Sequence, residues 1–263
     1  MNVTEDKLDM SFRELEETIK IDPGLSAKIL KVANSALYAR QREVKSLQMA
    51  ITLLGLRTIK SLVLLITAST MFGRDKNTEF YELFWRHSVS NAFMASSIAD
   101  RTGNKAFTDE CFLSGLLHDI GQVALHNADT EKYNQVYEQV KSKKRRISAV
   151  EQELFGTNHK EVGAKVLREW NLPDVYVDAA LEHGSANVTS PHKQIILAVS
   201  VADFVTANMD YHSDAPLSNN LIRDILRQTS LTEADLRYYE TDFMAELQKH
   251  KLCQECGSLF GIS

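Results

Sequence analysis

Cysteine is scarce in this 263-residue chain, which has only three, Cys111, Cys253 and Cys256. An odd count, too small to frame a chain of this length, fits a reducing compartment and predicts a cytoplasmic location. Proline occurs four times and glycine eleven times, which excludes collagen-like and low-complexity structure. Positive charge is not in excess either: 30 Lys and Arg against 35 Asp and Glu leave a net charge of −5. Nothing in that balance attracts nucleic acid or an anionic membrane, so neither is expected as a partner. Long hydrophobic runs are missing as well. The most apolar stretch, Ser61 to Met71, is bounded by Lys60 and Arg74 and falls well short of the roughly 20 residues that cross a bilayer. Glu5 and Asp6 stand where a secretory leader would carry Lys or Arg, so secretion is not expected.

What is present is an ordinary globular composition, 44% apolar and 25% charged, on a chain long enough to bury a sizeable core. Apolar or small residues recur at three- and four-residue intervals, as at Leu25, Ile29, Leu30, Val32, Ala33, Ala36 and Leu37. Strict alternation is rare, so the fold class is all-α. The pattern predicts helices over 11–20, 24–37, 46–54, 56–72, 78–101, 107–126, 129–141, 147–156, 159–170, 174–183 and 190–208, and over 217–250 in pieces. Ser148 to Glu151, Asn158 to Glu161 and, in weaker form, Thr232 to Asp235 have capping-box spacing. Pro23 and Pro173 fall at helix starts, and Gly55 separates two apolar helices. No linker, repeat or low-complexity tract divides the chain.

The run Leu113-Ser114-Gly115-Leu116-Leu117-His118-Asp119-Ile120-Gly121 is the sharpest chemical feature. An adjacent His and Asp can both reach one metal ion, and this mixed nitrogen and oxygen set suits Fe, Mn, Zn or Mg. The same pair could instead cap or cross-link helices. His87, His159 and His183 extend the inventory, and Asp203 lies in the apolar helix from Ile195 to Val205. A carboxylate among Ala198, Val199, Val201, Ala202, Phe204 and Val205 requires a charge, a metal or hydrogen-bond donors.

At these residues the chain resembles the HD superfamily of metal-dependent phosphohydrolases. The resemblance implies a metal-binding set of His87, His118, Asp119 and Asp203, with His159 and His183 in the order where two-metal relatives place further ligands. It narrows over Ile21-Asp22-Pro23 through Ser35, Ser46 through Gly55 and Gly163 through Pro173, which look like the HDOD family, a branch found in bacterial signalling proteins and regarded as non-catalytic. This implies an HD-like multi-helix bundle forming one unit over 1–263, with an N-terminal helical lobe (1–76), a helical body (77–208) and a C-terminal helical extension (209–263). It also implies a possible divalent cation, Fe, Mn, Ni, Zn or Mg, and a signalling protein as partner. Relatives that hydrolyse cyclic di-GMP carry a Lys after His-Asp-Ile-Gly, a paired His-His and a Gly-Tyr-Pro loop. Here Gln122, Glu182-His183 and Gly184-Ser185-Ala186-Asn187 stand in those places. Loss of that Lys removes a cation able to contact phosphate, so hydrolysis of cyclic di-GMP is not expected. The competing reading is a metal-dependent phosphohydrolase acting on a nucleotide or phosphoester.

Other features read as structural. The basic cluster Lys141 to Arg146 lacks interleaved aromatics and reads as a solvated loop rather than an anion patch. His126, His192 and His212 read as surface or structural residues, and Asn34-Ser35 as a helix C-terminal contact. His250, Cys253 and Cys256 make a three-ligand pattern with no evident fourth, hence ordinary thiols. Arg40, Arg42 and Lys45 gather around Glu43 and are expected to be exposed, where a partner could reach them.

Overall fold

The helical periodicity is realised throughout. In the computed structural model, every regular element among the described residues is a helix. Those residues are 44–55, 79–143, 145–210 and 219–249, with positions 29, 30, 33, 59 and 63 besides. They fall into two compact units, one within 1–75 and one within 76–257.

In the first unit, α1 (Leu47–Leu54) begins where the Ser46 hydroxyl accepts the Met49 N–H, and it ends at Gly55, whose φ of 80° suits a residue without a Cβ. Leu47, Ala50 and Ile51 are buried, one stripe at helical spacing. Ile29, Leu30 and Ala33 are helical, in keeping with a helix over 24–37. The expected helix over 11–20, most of those over 24–37 and 56–72, and Pro23, Asn34, Ser35, Arg40 and Arg42 lie outside the described residues. Lys45 is exposed, as expected.

The second unit runs α2 (Glu79–Arg101), a 3-10 turn at Lys105–Phe107, α3 (Thr108–Leu117), α4 (Ile120–Ala128), α5 (Thr130–Lys143), α6 (Ile147–Phe155), α7 (His159–Glu169), α8 (Asp174–Glu182) and α9 (Lys193–Asp210). It continues with α10 (Asn219–Leu226), α11 (Glu233–Tyr238), a π-helical turn at Tyr239–Phe243 and α12 (Met244–Lys249). Among these described residues no helix is long and apolar enough to cross a membrane. Helix α2 is buried without interruption from His87 to Ser96, so it is the axis of the unit, with α3 and α9 packed against it. Small residues allow this: a Cβ on Gly115 would stand 2.7 Å from Asn91 Oδ1 and 2.8 Å from Ala92 Cα. At the other end of α2, Arg101 Nε donates to Asp235 Oδ1 at 2.7 Å and Ser97 Oγ lies 3.2 Å from Tyr239 OH. The segment from α11 to the π turn therefore packs on the body.

Two local expectations need correction. The helix expected over 107–126 is two helices, α3 and α4, which part at His118 and Asp119. Both flanks are apolar at helical spacing, so periodicity carries no trace of the break. Ser148 to Glu151 is not a capping box either: α6 starts at Ile147, Arg146 holds the N-cap position with no side-chain bond, and Glu151 is fully buried with other partners. Asn158 does cap α7 and Thr232 with Asp235 forms the complete reciprocal box. His250, Cys253, Cys256 and His212 lie outside the described residues.

The first turns of α4 and α7 touch backbone to backbone. A Cβ on Gly121 would stand 2.0 Å from the His159 carbonyl oxygen and 2.6 Å from Gly163 N. Gly121→Ala should therefore separate α4 from α7 and destabilise the protein by about 3 kcal/mol or more. Gly156→Ala, at a φ of 72° in open space, should cost only about 1 kcal/mol. Thermal melts of the two variants check this; equal losses would contradict it.

Candidate functional site

Five stretches of chain converge on one point. His87 comes from the middle of α2, His118 and Asp119 from the break between α3 and α4, His159 from the start of α7, His183 from the residue after α8, and Asp203 from α9. All six expected ligands are thus brought together. His87 Nε2 faces His118 Nε2 at 3.3 Å. Asp119 divides its carboxylate: Oδ2 lies 3.6 Å from His87 Nε2 and 3.5 Å from His118 Nε2, while Oδ1 lies 3.4 Å from both His159 Nε2 and His183 Nε2. Asp203 Oδ1 closes the first group at 3.4 Å from His87 Nε2 and 3.6 Å from His118 Nε2. Two sets of potential ligand atoms result, His87, His118 and Asp203 on one side and His118, Asp119 and His183 on the other.

Three of the imidazoles are held by their far nitrogens. His118 Nδ1 bonds the Gly115 carbonyl at 2.7 Å and His183 Nδ1 the Ala179 carbonyl at 3.0 Å. His159 Nδ1 bonds Glu151 Oε2 at 2.6 Å. Carbonyls and carboxylates only accept, so each Nδ1 carries a proton, and Nε2 is the nitrogen each ring turns toward the centre, able to take a metal or a second proton. The centre is lined by imidazole Nε2 atoms and carboxylate oxygens, all of them atoms that can ligate a cation. Spacing is close to that of a shared ion: two ligand atoms each about 2.1 Å from one metal stand roughly 3.0–3.4 Å apart at octahedral or tetrahedral angles, and the contacts here run from 3.3 to 3.6 Å. The donor set fits a divalent metal.

Several supporting residues carry no sequence signal. Glu151 Oε2 also accepts the His159 backbone N–H at 2.8 Å, and its Oε1 accepts the Tyr133 hydroxyl at 2.7 Å. This is the carboxylate–histidine pairing that fixes a metal ligand's ring and tautomer. Gln122 donates from Nε2 to Asp119 Oδ2 at 2.6 Å and accepts from Tyr137 OH at 3.3 Å. It is 2% exposed and orients Asp119. Glu182, in place of a second His, turns away and binds Thr189 N at 2.7 Å and Thr189 Oγ1 at 2.9 Å. Of the remaining histidines, His126 is buried and stacks on Phe80 at 3.9 Å, and His192 Nδ1 lies 3.0 Å from Asp178 Oδ2, both structural as expected. Cys111 is a buried free thiol pushed up to about 12 by burial.

Charge is strongly coupled at the centre. Burial would raise the Asp119 carboxyl, but His118 and His159 hold it well below the usual range, and His118 and His87 do the same for Asp203. Burial opposes protonation of His118, yet Asp119 and Asp203 raise it to about 9. Burial, joined by Lys160, lowers His183 to about 4. Burial also lowers the Lys160 amine, against the pull of Asp203 and Asp119. For chelated, metal-free protein the signs oppose each other. The His118 contribution is fully present below about pH 6.5 and is lost as pH rises through about 9. The His183 contribution is present above about pH 6.5 and is lost as pH falls through about 4. The melting temperature in chelator should therefore fall on going from pH 6.5 to 9, and the alkaline fall should shrink in Asp119→Asn. A flat alkaline limb in the parent protein would contradict the assignment.

Comparison with known proteins bears on the fold and the family. Residues 1–186 match the HDOD domain. An HDOD domain protein of unknown function from Geobacter sulfurreducens superimposes with a TM-score of 0.66 at 27% identity, over 97% of this chain and 88% of that one. A protein from Shewanella amazonensis with a provisional phosphohydrolase name matches with a TM-score of 0.67 at 24% identity, over 96% and 88% of the two chains, a likeness of fold alone. A curated protein of Treponema pallidum is 23% identical over 203 residues, covering 77% of this chain and 39% of that protein, so the chain spans well under half the length of this relative. A helical bundle with its His and Asp residues converged in this order, matched over most of its length, belongs to the HDOD family.

Proposed function

We propose that this chain is a signal-transduction module of the HDOD type, a single functional domain over 1–263 made of both compact units, that holds a divalent metal without turning over a phosphoester. The observation that carries the metal reading is the set of inward-facing Nε2 atoms around Asp119, with the far nitrogens of His118, His159 and His183 each bound to an acceptor. Mixed imidazole and carboxylate donors suit Fe, Mn, Ni or Zn, with Mg the hardest candidate. Such an ion would be held by His87, His118, Asp119 and Asp203, with His159 and His183 on the far oxygen of Asp119. When bound, it supplies positive charge and can polarise a water or an oxyanion. The module reading rests on family membership and on Gln122 and Glu182, which are committed to internal hydrogen bonds at the places where relatives that hydrolyse cyclic di-GMP carry a Lys and a second His. The partner in this reading is a signalling protein and the compartment is the cytoplasm. A similarly folded Marinobacter aquaeolei protein, 17% identical with a TM-score of 0.66 over 97% of this chain and 56% of its own, bears a provisional signal-transduction name.

The complete ligand set supports a second reading, a metal-dependent phosphohydrolase acting on a nucleotide or phosphoester. Elemental analysis of protein purified without chelators, followed by a phosphoesterase panel with Mn, Fe, Ni and Mg, separates the two. The module reading expects bound metal and no turnover. Glu151→Gln should lower metal affinity by roughly 10–100-fold while the protein stays folded. Asp119→Ala should abolish metal retention and destabilise the fold by about 1–3 kcal/mol or more. Full metal occupancy in Asp119→Ala would remove the assignment, and specific phosphoesterase activity in the parent protein would reverse the order of the readings.

A further inference from the structure

His183 differs from the other five residues of the centre in its backbone. His87, His159 and Asp203 stand in helices, and His118 and Asp119 in the tight break between α3 and α4. His183 follows α8 with φ −57° and ψ 149° and opens the non-helical segment 183–192. No helix holds it from the C-terminal side, so its ring is only as well placed as the segment that follows.

That segment is tied down one peptide group after another, from four different helices. Lys160 of α7 donates to the His183 carbonyl. Gly184 N donates to Ser200 Oγ of α9 at 2.9 Å, and Ser185 N to the Glu182 carbonyl of α8 at 3.2 Å. The Ala186 carbonyl accepts from Gln228 Nε2 at 2.9 Å. Further along, Thr189 and Ser190 are held by Glu182 and Asp178, side chains of α8 itself. Gln228 follows α10, which lies beyond the span 1–186 of the HDOD match and supplies no residue to the centre. The Gln228 amide also donates to the Asp224 carbonyl at 3.0 Å. Both partners only accept, so the nitrogen faces both and its two N–H groups are shared between α10 and the segment. The half-buried Gln228 therefore reaches the His183 segment from outside the helices that carry the ligands.

We propose that Gln228 is a positioning residue for the centre: its bond to Ala186 docks the C-terminal extension on the His183 segment and couples the seating of α10 to the hold on a cation. Coupling of this kind is reciprocal, so a cation drawn onto His183 also steadies the segment and, through Gln228, α10. The effect falls on the set of His118, Asp119 and His183, because the set of His87, His118 and Asp203 does not include the tethered residue. The inference rests on the metal reading of the cluster.

The test compares the full chain with Gln228→Leu, which removes the donor and keeps most of the volume, and with Gln228→Glu, which keeps the size and still cannot donate. In chelated protein, nuclear magnetic resonance follows amide exchange at Gly184 and Ser185 and the imidazole signals of His183, with His159 as the internal reference. Both variants should speed the exchange about threefold or more and displace or broaden the His183 signals while those of His159 stay in place. Equilibrium dialysis against Mn should then show affinity lowered by roughly three- to tenfold. Thr232→Ala, which removes the α11 cap without touching Ala186, should leave the His183 signals and the Mn affinity at the parent values. Unchanged His183 signals in both variants would overturn the proposal. So would parent-like behaviour of Gln228→Glu, which would assign the effect to packing, or an equal loss in Thr232→Ala, which would assign it to general destabilisation. Displaced His183 signals with unaltered Mn affinity would break the link to the cation and overturn it as well. A parent protein that takes up no Mn marks failure of the metal reading by itself; the chelated samples then decide alone whether Gln228 positions His183.

Discussion

One buried carboxylate organises this molecule. Asp119 is 4% exposed and meets four imidazole nitrogens from four different segments, two on each oxygen. Stranding such a charge in a bundle interior is costly unless positive charge surrounds it. Helices α2, α7 and α9 and the turn after α8 are therefore all tied to one point. The ties continue outward: Gln122 fixes the carboxylate, Glu151 fixes His159, and Tyr133 fixes Glu151. A polar chain runs from the centre to α5, hydrogen-bonded from His159 through Glu151 to Tyr133.

This arrangement depends on backbone proximity that only glycine permits. Asp119 and His159 approach because Gly121 and Gly163 let α4 and α7 meet without side chains between them. Likewise Gly115 allows α3 to lie against α2 at Asn91 and Ala92, which sets His118 opposite His87. The chemistry of the centre and the close packing of these helices are one constraint read from two sides.

The helical class and the six clustered residues were legible in the sequence because both depend on residue type and order. Apolar spacing marks helices such as α2, and a lone Asp203 in an apolar helix demands a partner whatever the fold. Supporting residues were not legible. Glu151 sits at a spacing that also describes a helix cap, and only burial distinguishes the two uses. The break at His118 lies between two apolar segments, so its neighbours hide it. Lys160 looks like any solvated helix lysine until the carbonyl of His183, 23 residues away, is placed beside it.

Gln122 is a residue that the site cannot easily exchange. Its amide is used twice, once on Asp119 and once on the Tyr137 hydroxyl, in a space that is closed to solvent. A lysine at this position would exchange an acceptor and a donor for a donor alone, and the bond from Tyr137 would be lost. Its ammonium would lie against the Asp119 oxygen that faces His87 and His118, in competition with any cation held there. Substitution by lysine would thus remove an internal strut before it supplied any outward contact, and packing around Tyr137 and Asp119 holds this position to an amide.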